Sequence, residues 1–428
     1  MSKPFIIPRL ALSSLANRRL TAILTIASIA ISVMLLLGVE KVRNGARQSF
    51  ANTISGTDLI LGARGGGVQL LLYSVFRIGN ATNNISWQSY RDIAARPEVA
   101  WIVPISLGDS HRGFRVVGTS DAFFDRYRYG RDQPLRFADG QPFDDLFDAV
   151  VGADVADELG YAVASDIVVA HGIGAVSFQD HADKPFRVSG VLAPTGTPVD
   201  RSVYVSLPAI EAIHVDWRSG APPAPGQAAG VARVREIEEG GGLEPRAVTA
   251  ALIGLESKLS AFSLQRFINE YPEEPLTAIL PGVALTELWS VVGAAERALL
   301  VVSAMVVATA LLGMVTAILS TLNERRREMA ILRSVGARPA HVLGLLVAEA
   351  GSLALAGTVI GAGLLYGILV VGRPLLEDAT GLYIELTAPG RREWLTLAAI
   401  VAAGFIVGLL PGLRAYRMSL GDGLTIRV

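Results

Sequence analysis

Five histidines, His111, His171, His181, His214 and His341, are the first residues to test for chemistry. No two stand at the H-x-x-x-H spacing that sets imidazoles on one helix face around a metal. His171 and His181, with Asp180 and Asp183, form the one loop group able to share a surface ion. Solvated loop residues are the simpler reading, and no metal centre is expected. The chain contains no cysteine, which removes disulfides, thiolate metal sites and cysteine nucleophiles together. It has no G-x-x-x-x-G-K-[ST], so it holds no P-loop of its own. Arg64 to Gly67 is glycine-rich but reads as a turn, without the lysine or the following helix of a phosphate cradle. No G-x-S-x-G elbow is present, and nothing in the sequence supports hydrolysis.

A different kind of constellation stands at Asn323 to Arg338. Five arginines fill a short segment between two long apolar runs, Leu299 to Leu322 and Val342 to Val371. Each run is long enough to cross a bilayer, which takes about 20 apolar residues, and clustered arginines mark the cytoplasmic side. Met329, Ile331, Leu332 and Val335 form an apolar stripe flanked by Glu328 and Arg333. That pattern suits docking onto another protein; the bland alternative is a topology anchor among lipid headgroups. Glu349 lies inside the next apolar run, where an ionisable group is costly and usually faces protein or water. An interhelical hydrogen bond is the favoured role, because no second acidic residue or histidine sits mid-span to relay protons. Gly357-x-x-x-Gly361, Gly363-x-x-x-Gly367 and Gly404-x-x-x-Gly408 predict close helix packing, within or between protomers.

The elements that carry these residues follow from composition. The 428 residues are 51% hydrophobic with a mean hydropathy of +0.43, which fits a few spans plus one large soluble domain. A net charge of -1 gives no reason to expect nucleic acid. The fold class is therefore an α-helical membrane protein with four transmembrane helices and a large α+β extracytoplasmic domain between helices 1 and 2. The boundaries read as a cytoplasmic N-terminus over 1–19, helix 1 over 20–39 and a periplasmic domain with stalk helices over 40–287. A stalk end with helix 2 covers 288–322, and the cytoplasmic loop 323–341. Helix 3 spans 342–371, a short periplasmic loop 372–393, helix 4 394–411 and a cytoplasmic tail 412–428. Lys3, Arg9, Arg18 and Arg19, with no acidic residue among them, place the N-terminus inside. The first apolar run exceeds a signal-peptide core of about 7–15 residues, so an uncleaved anchor is read over a cleaved leader.

Within the outer segment, Ser86 to Arg96 and Asp154 to Leu159 read as short helices. Arg115–Gly118, Ala149–Gly152, Ile167–Ala170, Phe186–Ser189 and Ser202–Val205 read as strands, rich in β-branched residues and bounded by turn formers. Val248 to Phe267 reads as a helix with Leu252, Leu255, Leu259 and Phe262 on one face. Val68 to Phe76 reads as a buried apolar element rather than a substrate contact. Ser219 to Gly230 is a loop by composition. No internal repeat of the secondary-transporter kind is evident.

These pieces together resemble a known family. The chain is similar to permease subunits of the MacB/FtsX-type ABC transporters, the type VII or mechanotransmission group. The most specific likeness is Arg326-Arg327-Glu328 followed by Ala330-Ile331-Leu332-Arg333 and Gly336-Ala337. Glu349 ahead of a glycine-rich third span and Pro411 to Ala415 at the fourth-span exit add to it. Arg96 to Val99, Val116 to Gly118 and Val150 to Ala156 resemble the MacB-like periplasmic core domain. The tail from Ser419 departs from the family's Asp-Pro-x-x-Ala-Leu pattern, and Ser219 to Gly230 looks like an insertion. The outer domain is also larger than in the division-associated FtsX branch.

The resemblance implies a non-catalytic transport subunit in a bacterial inner membrane, with both termini cytoplasmic. It implies an ABC ATPase as a partner chain carrying the ATP and Mg, with no cofactor on this chain. It further implies a second permease protomer, a homodimer before a heterodimer, together with membrane lipids and a periplasmic protein as potential partners. On that carry-over Arg327, Glu328, Ile331, Leu332, Arg333 and Gly336 form the ATPase-coupling surface and Glu349 couples within the membrane. A signalling or scaffold protein using the same machinery is the alternative, and an anchored periplasmic enzyme is a third reading for which no catalytic constellation is found.

Overall fold

A computed structural model describes residues 11, 13–15, 18–172, 181, 183–217, 230–322, 326–380 and 388–417. The chain divides into two compact units, residues 1–45 with 293–379 and 384–428, and residues 46–292 with 380–383.

The first unit is helical. Helix α1 covers Arg19–Thr53. The second unit then begins with strand β1 (Leu59–Ala63), helix α2 (Gly67–Ser74) and helix α3 (Trp87–Ala94). Next come β2 (Val99–His111), β3 (Phe114–Thr119), β4 (Phe137–Gly140), β5 (Asp148–Val151) and helix α4 (Ala153–Leu159). The short strand β6 (Ala170–His171), β7 (Phe186–Leu192), β8 (Ser202–Ser206) and helix α5 (Leu207–His214) follow. The unit closes with β9 (Ala250–Leu255), helix α6 (Ala261–Asn269) and β10 (Leu276–Ile279). Helix α7 (Pro281–Leu322) leads back to the first unit, which is completed by α8 (Arg326–Ser334), α9 (Pro339–Thr380), α10 (Arg391–Val407) and α11 (Leu409–Arg417).

Among the described residues, the outer unit is built on an eleven-stranded mixed sheet whose main path runs β10-β1-β9-β2-β3-β8-β5-β7-β4. Strand β8 is parallel to β3 and β5 is parallel to β7; the remaining pairs are antiparallel. Both faces are covered, so central strands carry unbroken apolar runs instead of alternation. In β5 and β8, Val150 and Tyr204 enter one core while Ala149, Val151, Val203 and Val205 enter the other. Ser86 caps α3 by accepting from the Ser89 amide, and Ser206 caps α5 by accepting from the Ala209 amide.

The segment 248–267 is not one helix. Ala250–Leu255 is a central strand between β1 and β2, a turn of 3₁₀ helix follows over Lys258–Ser260, and α6 begins only at Ala261. Its burial on both faces hides the period-2 signal, and the leucine spacing mimics a helical period. Leu259 and Phe262 are exposed, 92% and 71%, instead of facing a core. Gly254 lies opposite Trp101, whose indole occupies the space a side chain would need. The strand expected over Ile167–Ala170 is split, with Asp166–Ile167 pairing β7 and β6 pairing β2. The glycine-rich turn at Arg64 to Gly67 does lead into a helix, α2, and that helix is buried, as read for Val68 to Phe76. The Ser219 to Gly230 loop lies almost wholly outside the described residues.

Among the described residues four helices are long and apolar enough to cross a membrane: Arg19–Gly45, Pro281–Leu322, Pro339–Gly372 and Arg391–Arg417. Pro281 opens α7, where its missing amide hydrogen costs nothing. Helix α9 continues to Thr380, past the expected end of span 3. Pro411 does not end the helical run. The break comes at Gly408, and Pro411 falls in the first turn of α11, where its amide is not needed.

Candidate functional site

Helix α8 carries the arginine-rich motif. Met329 and Ala330 are buried in the core of the helical unit, whereas Glu328, Ile331, Leu332 and Val335 are exposed and Arg333 is half-buried. The expected stripe therefore splits: Met329 anchors the helix, and Ile331, Leu332 and Val335 form its outward apolar face. Arg327 lies in the helix, and its side chain is outside the described set. Gly336 ends α8 in the left-handed region at φ 104°, with its amide bonded to the Arg333 carbonyl and the Ala337 amide to Leu332. A residue with a Cβ is strained there, so glycine makes the turn that lets Pro339 start α9.

Glu349 is 4% exposed inside α9. The glycines around it sort into two kinds. A Cβ on Gly357 would lie 2.7 Å from Ile29 Cβ, and one on Gly361 would lie 2.4 Å from the Ala30 carbonyl oxygen, so this pair seats α9 against α1. Gly404 and Gly408 press on Ala354 and Ala350, so they seat α10 against α9. Gly363 and Gly367 face open space and pack against nothing within 4 Å among the described residues. Two of the three motifs thus work inside one chain. A further buried group escaped sequence reading: Lys41 pairs with Glu393 at 3.2 Å, both side chains 9% exposed, and the Tyr366 hydroxyl donates to Glu393 at 3.1 Å. Only the packing of α1, α9 and α10, far apart in sequence, brings these together.

The outer unit assembles a second polar cluster. Strand β2 loses register with β3 between Leu107 and Ser110, and Asp109 sits in that irregularity opposite His171 of β6. His171 Nδ1 is 3.1 Å from Asp109 Oδ1, and His214 Nε2 is 3.2 Å from His171 Nδ1 and 3.7 Å from Asp109 Oδ1. His214 ends α5, and its Nδ1–H donates to the Ile210 carbonyl one turn back, which leaves Nε2 with the lone pair. His181 completes the group, and it is buried at 3% rather than solvated. Burial holds the His181 imidazole well below its usual range, at about 4, whereas the bond to Asp109 raises that of His171. Trp217 lies against the rings of His171, His181 and His214 at 4.8, 5.7 and 5.2 Å. Spacing along the chain singled out His171 and His181 but missed His214 and Asp109. Asp180 lies outside the described residues, and Asp183 instead pairs with Lys184. His111 stands apart, bonded to the Val168 carbonyl and to the Tyr161 hydroxyl.

Comparison with known families places both halves. The FtsX-like permease C-terminal family matches residues 300–420, and the MacB-like periplasmic core domain matches residues 22–231. The chain belongs to the MacB/FtsX-type permeases. Over 107 residues this permease is 35% identical to the macrolide export ATP-binding/permease protein MacB of Nitrobacter winogradskyi, a match covering 25% of the permease and 16% of that relative. The periplasmic region of MacB from Actinobacillus actinomycetemcomitans aligns over 55% of the permease and 94% of that chain, at 10% identity and a TM-score of 0.33. The extracellular domain of the noncanonic ABC-type transporter YknZ from Gram-positive bacteria aligns over 52% and 98%, at 12% identity and a TM-score of 0.29. The four apolar helices and the α+β domain after the first agree with the fold class read from the sequence.

Proposed function

We propose that this permease is a non-catalytic, membrane-spanning subunit that couples ATP hydrolysis on a separate ABC ATPase to its outer domain. On this reading α8 faces the cytoplasm and docks in a groove of the ATPase, which supplies ATP and Mg. The carrying observation is the face of α8: Ile331, Leu332 and Val335 are exposed beside Glu328, on a helix anchored from behind by Met329 and Ala330. Exposed apolar groups rimmed by charge are the anatomy of a protein-binding surface. Helices α1 and α7 run unbroken beyond bilayer length, 35 and 42 residues, and serve as the stalks that transmit movement. Both termini are cytoplasmic on the positive-inside rule, and the chain works as a dimer, with export, extraction or release of a substrate on the periplasmic side.

The test is a gentle-detergent pull-down of wild-type protein and of the Glu328→Lys, Arg333→Glu double variant. Wild type should retain an ABC ATPase, and the variant should lose it while still inserting in the membrane. Equal ATPase recovery by both would remove α8 from the contact. A periplasmic protein captured with the ATPase, with ATP turnover responding to that protein and to no transported compound, would favour the signalling role.

A further inference from the structure

We propose that Asp109, His171, His181 and His214 bind one transition-metal dication, best matched by Zn²⁺, through three imidazole nitrogens and one carboxylate oxygen. One donor atom from each residue lies within 4.8 Å of all the others. Metal–ligand bonds of about 2.0–2.2 Å in a tetrahedral site set donors roughly 3.3 Å apart. The three separations of 3.1, 3.2 and 3.7 Å among Asp109, His171 and His214 already match that edge. His181 has only to close the remaining distance.

Two features of the cluster fit a bound cation. His181 Nε2 is buried and has no hydrogen-bond partner among the described residues, which is expensive for a polar nitrogen. The Asp109 side chain is 4% exposed, and its ionic partners among the described residues are imidazoles alone. Lys184, the buried cation nearby in sequence, is committed to Asp183 and Asp216. A buried carboxylate without a full positive charge is costly, and a bound dication removes that cost. The support shell is also in place. The His214 bond to the Ile210 carbonyl fixes both tautomer and ring direction, as outer-shell carbonyls do for metal-bound histidines.

The donor set selects the ion. Imidazole nitrogens suit Zn²⁺, Ni²⁺, Co²⁺ and Cu²⁺, whereas Ca²⁺ and Mg²⁺ require oxygen shells. Four protein ligands leave no open position, so the site is a closed, structural one and not a hydrolytic centre. The ligands come from β2, β6, the segment before β7 and the end of α5, so the ion ties four separate elements together. This inference rests on the outer unit alone and stands whether or not the permease takes an ATPase.

The test uses full-length permease in detergent, purified through a tag without histidine, stripped with chelator and titrated with Zn²⁺ alone. Wild type should bind one Zn²⁺ per chain, with a change in tryptophan fluorescence that Trp217→Phe removes without changing the stoichiometry. Asp109→Asn and His214→Ala should each weaken binding by about 100-fold or more, while His341→Ala leaves it unchanged. Co²⁺ should give the intense absorption of a tetrahedral site. The proposal falls if wild type binds no stoichiometric Zn²⁺, if Ca²⁺ or Mg²⁺ binds as tightly, or if both ligand variants bind as wild type does. Should those variants fail to fold, a weak octahedral Co²⁺ spectrum from wild type would overturn it equally.

Discussion

Gly361 and Gly363 lie two residues apart on one helix, yet they should respond oppositely to the same added methyl group. At Gly361 a Cβ would sit 2.4 Å from the Ala30 carbonyl oxygen and 3.0 Å from both Ala30 Cα and Val33 Cβ. Real Cβ contacts stay above 3.0 Å, so α1 and α9 must part by at least 0.6 Å along that line. The obstacle is backbone, and rotamer changes cannot relieve it. Parting the helices also weakens the contacts of Ile29 and Val33, both nearly fully buried. Overpacking of this kind costs about 1–3 kcal/mol. At Gly363 nothing lies within 4 Å of the added group, and alanine is the better helix former by about 1 kcal/mol. Gly361→Ala gains the same helix propensity, so it should lower the stability of the detergent-solubilised permease by about 0–2 kcal/mol net. Gly363→Ala should leave it unchanged or slightly raised. Thermal unfolding followed by circular dichroism reads both. Equal effects of the two substitutions would refute the assignment of Gly357 and Gly361 to the α1 contact. A loss of oligomer confined to Gly363→Ala would instead show that the open pair serves a neighbouring chain.

Three further outcomes are expected. Lys41→Met should destabilise the helical unit by about 3–5 kcal/mol, because it strands Glu393, while the Lys41→Met, Glu393→Leu double variant should recover part of that loss in the same unfolding assay. Burial raises the Asp200 carboxyl to about 6, although it accepts bonds from Thr195 and Gly196. The folded chain then takes up this proton between about pH 6 and 4 while the unfolded chain does not, so the group favours folding as pH falls through that window. The stability gap between wild type and Asp200→Asn should shift by about 2 kcal/mol in favour of wild type from pH 7.5 to pH 4.5, and a pH-independent gap would contradict the assignment. Glu349→Leu should express and insert normally but impair ATP-coupled transport; wild-type transport by that variant would remove any special role for the group.

The helical unit was legible in the sequence because lipid demands long unbroken apolar runs, and charge at their ends is equally readable. Short strands such as Ser202–Ser206 were legible through β-branched residues between turn formers. The failure at Ala250–Leu255 has a physical cause: a strand buried on both faces carries no alternation, and its leucines then suggest a helix by accident. The arginine-rich segment was legible as a motif, but which side of α8 it presents depends on the helices that cover Met329 and Ala330. The histidine cluster was illegible for a simpler reason. Asp109 and His214 lie 105 positions apart, and only the pairing of β2 with β6 and the end of α5 bring them to one point.

The pairing of β1 with both β9 and β10 bears on how the chain is made. Leu59 waits for Ile253, and Leu61 waits for Ala278, before either strand of that sheet margin is satisfied. Nearly the whole outer segment must therefore be synthesised and delivered across the membrane before its first strand finds a partner. Sheets closed by such distant pairings form slowly and expose apolar edges meanwhile. The next residues after β10 begin α7, whose apolar run starts at Leu299, so completion of the sheet comes shortly before insertion of the second apolar helix. Folding of the outer domain and insertion of α7 are thus consecutive steps rather than independent ones.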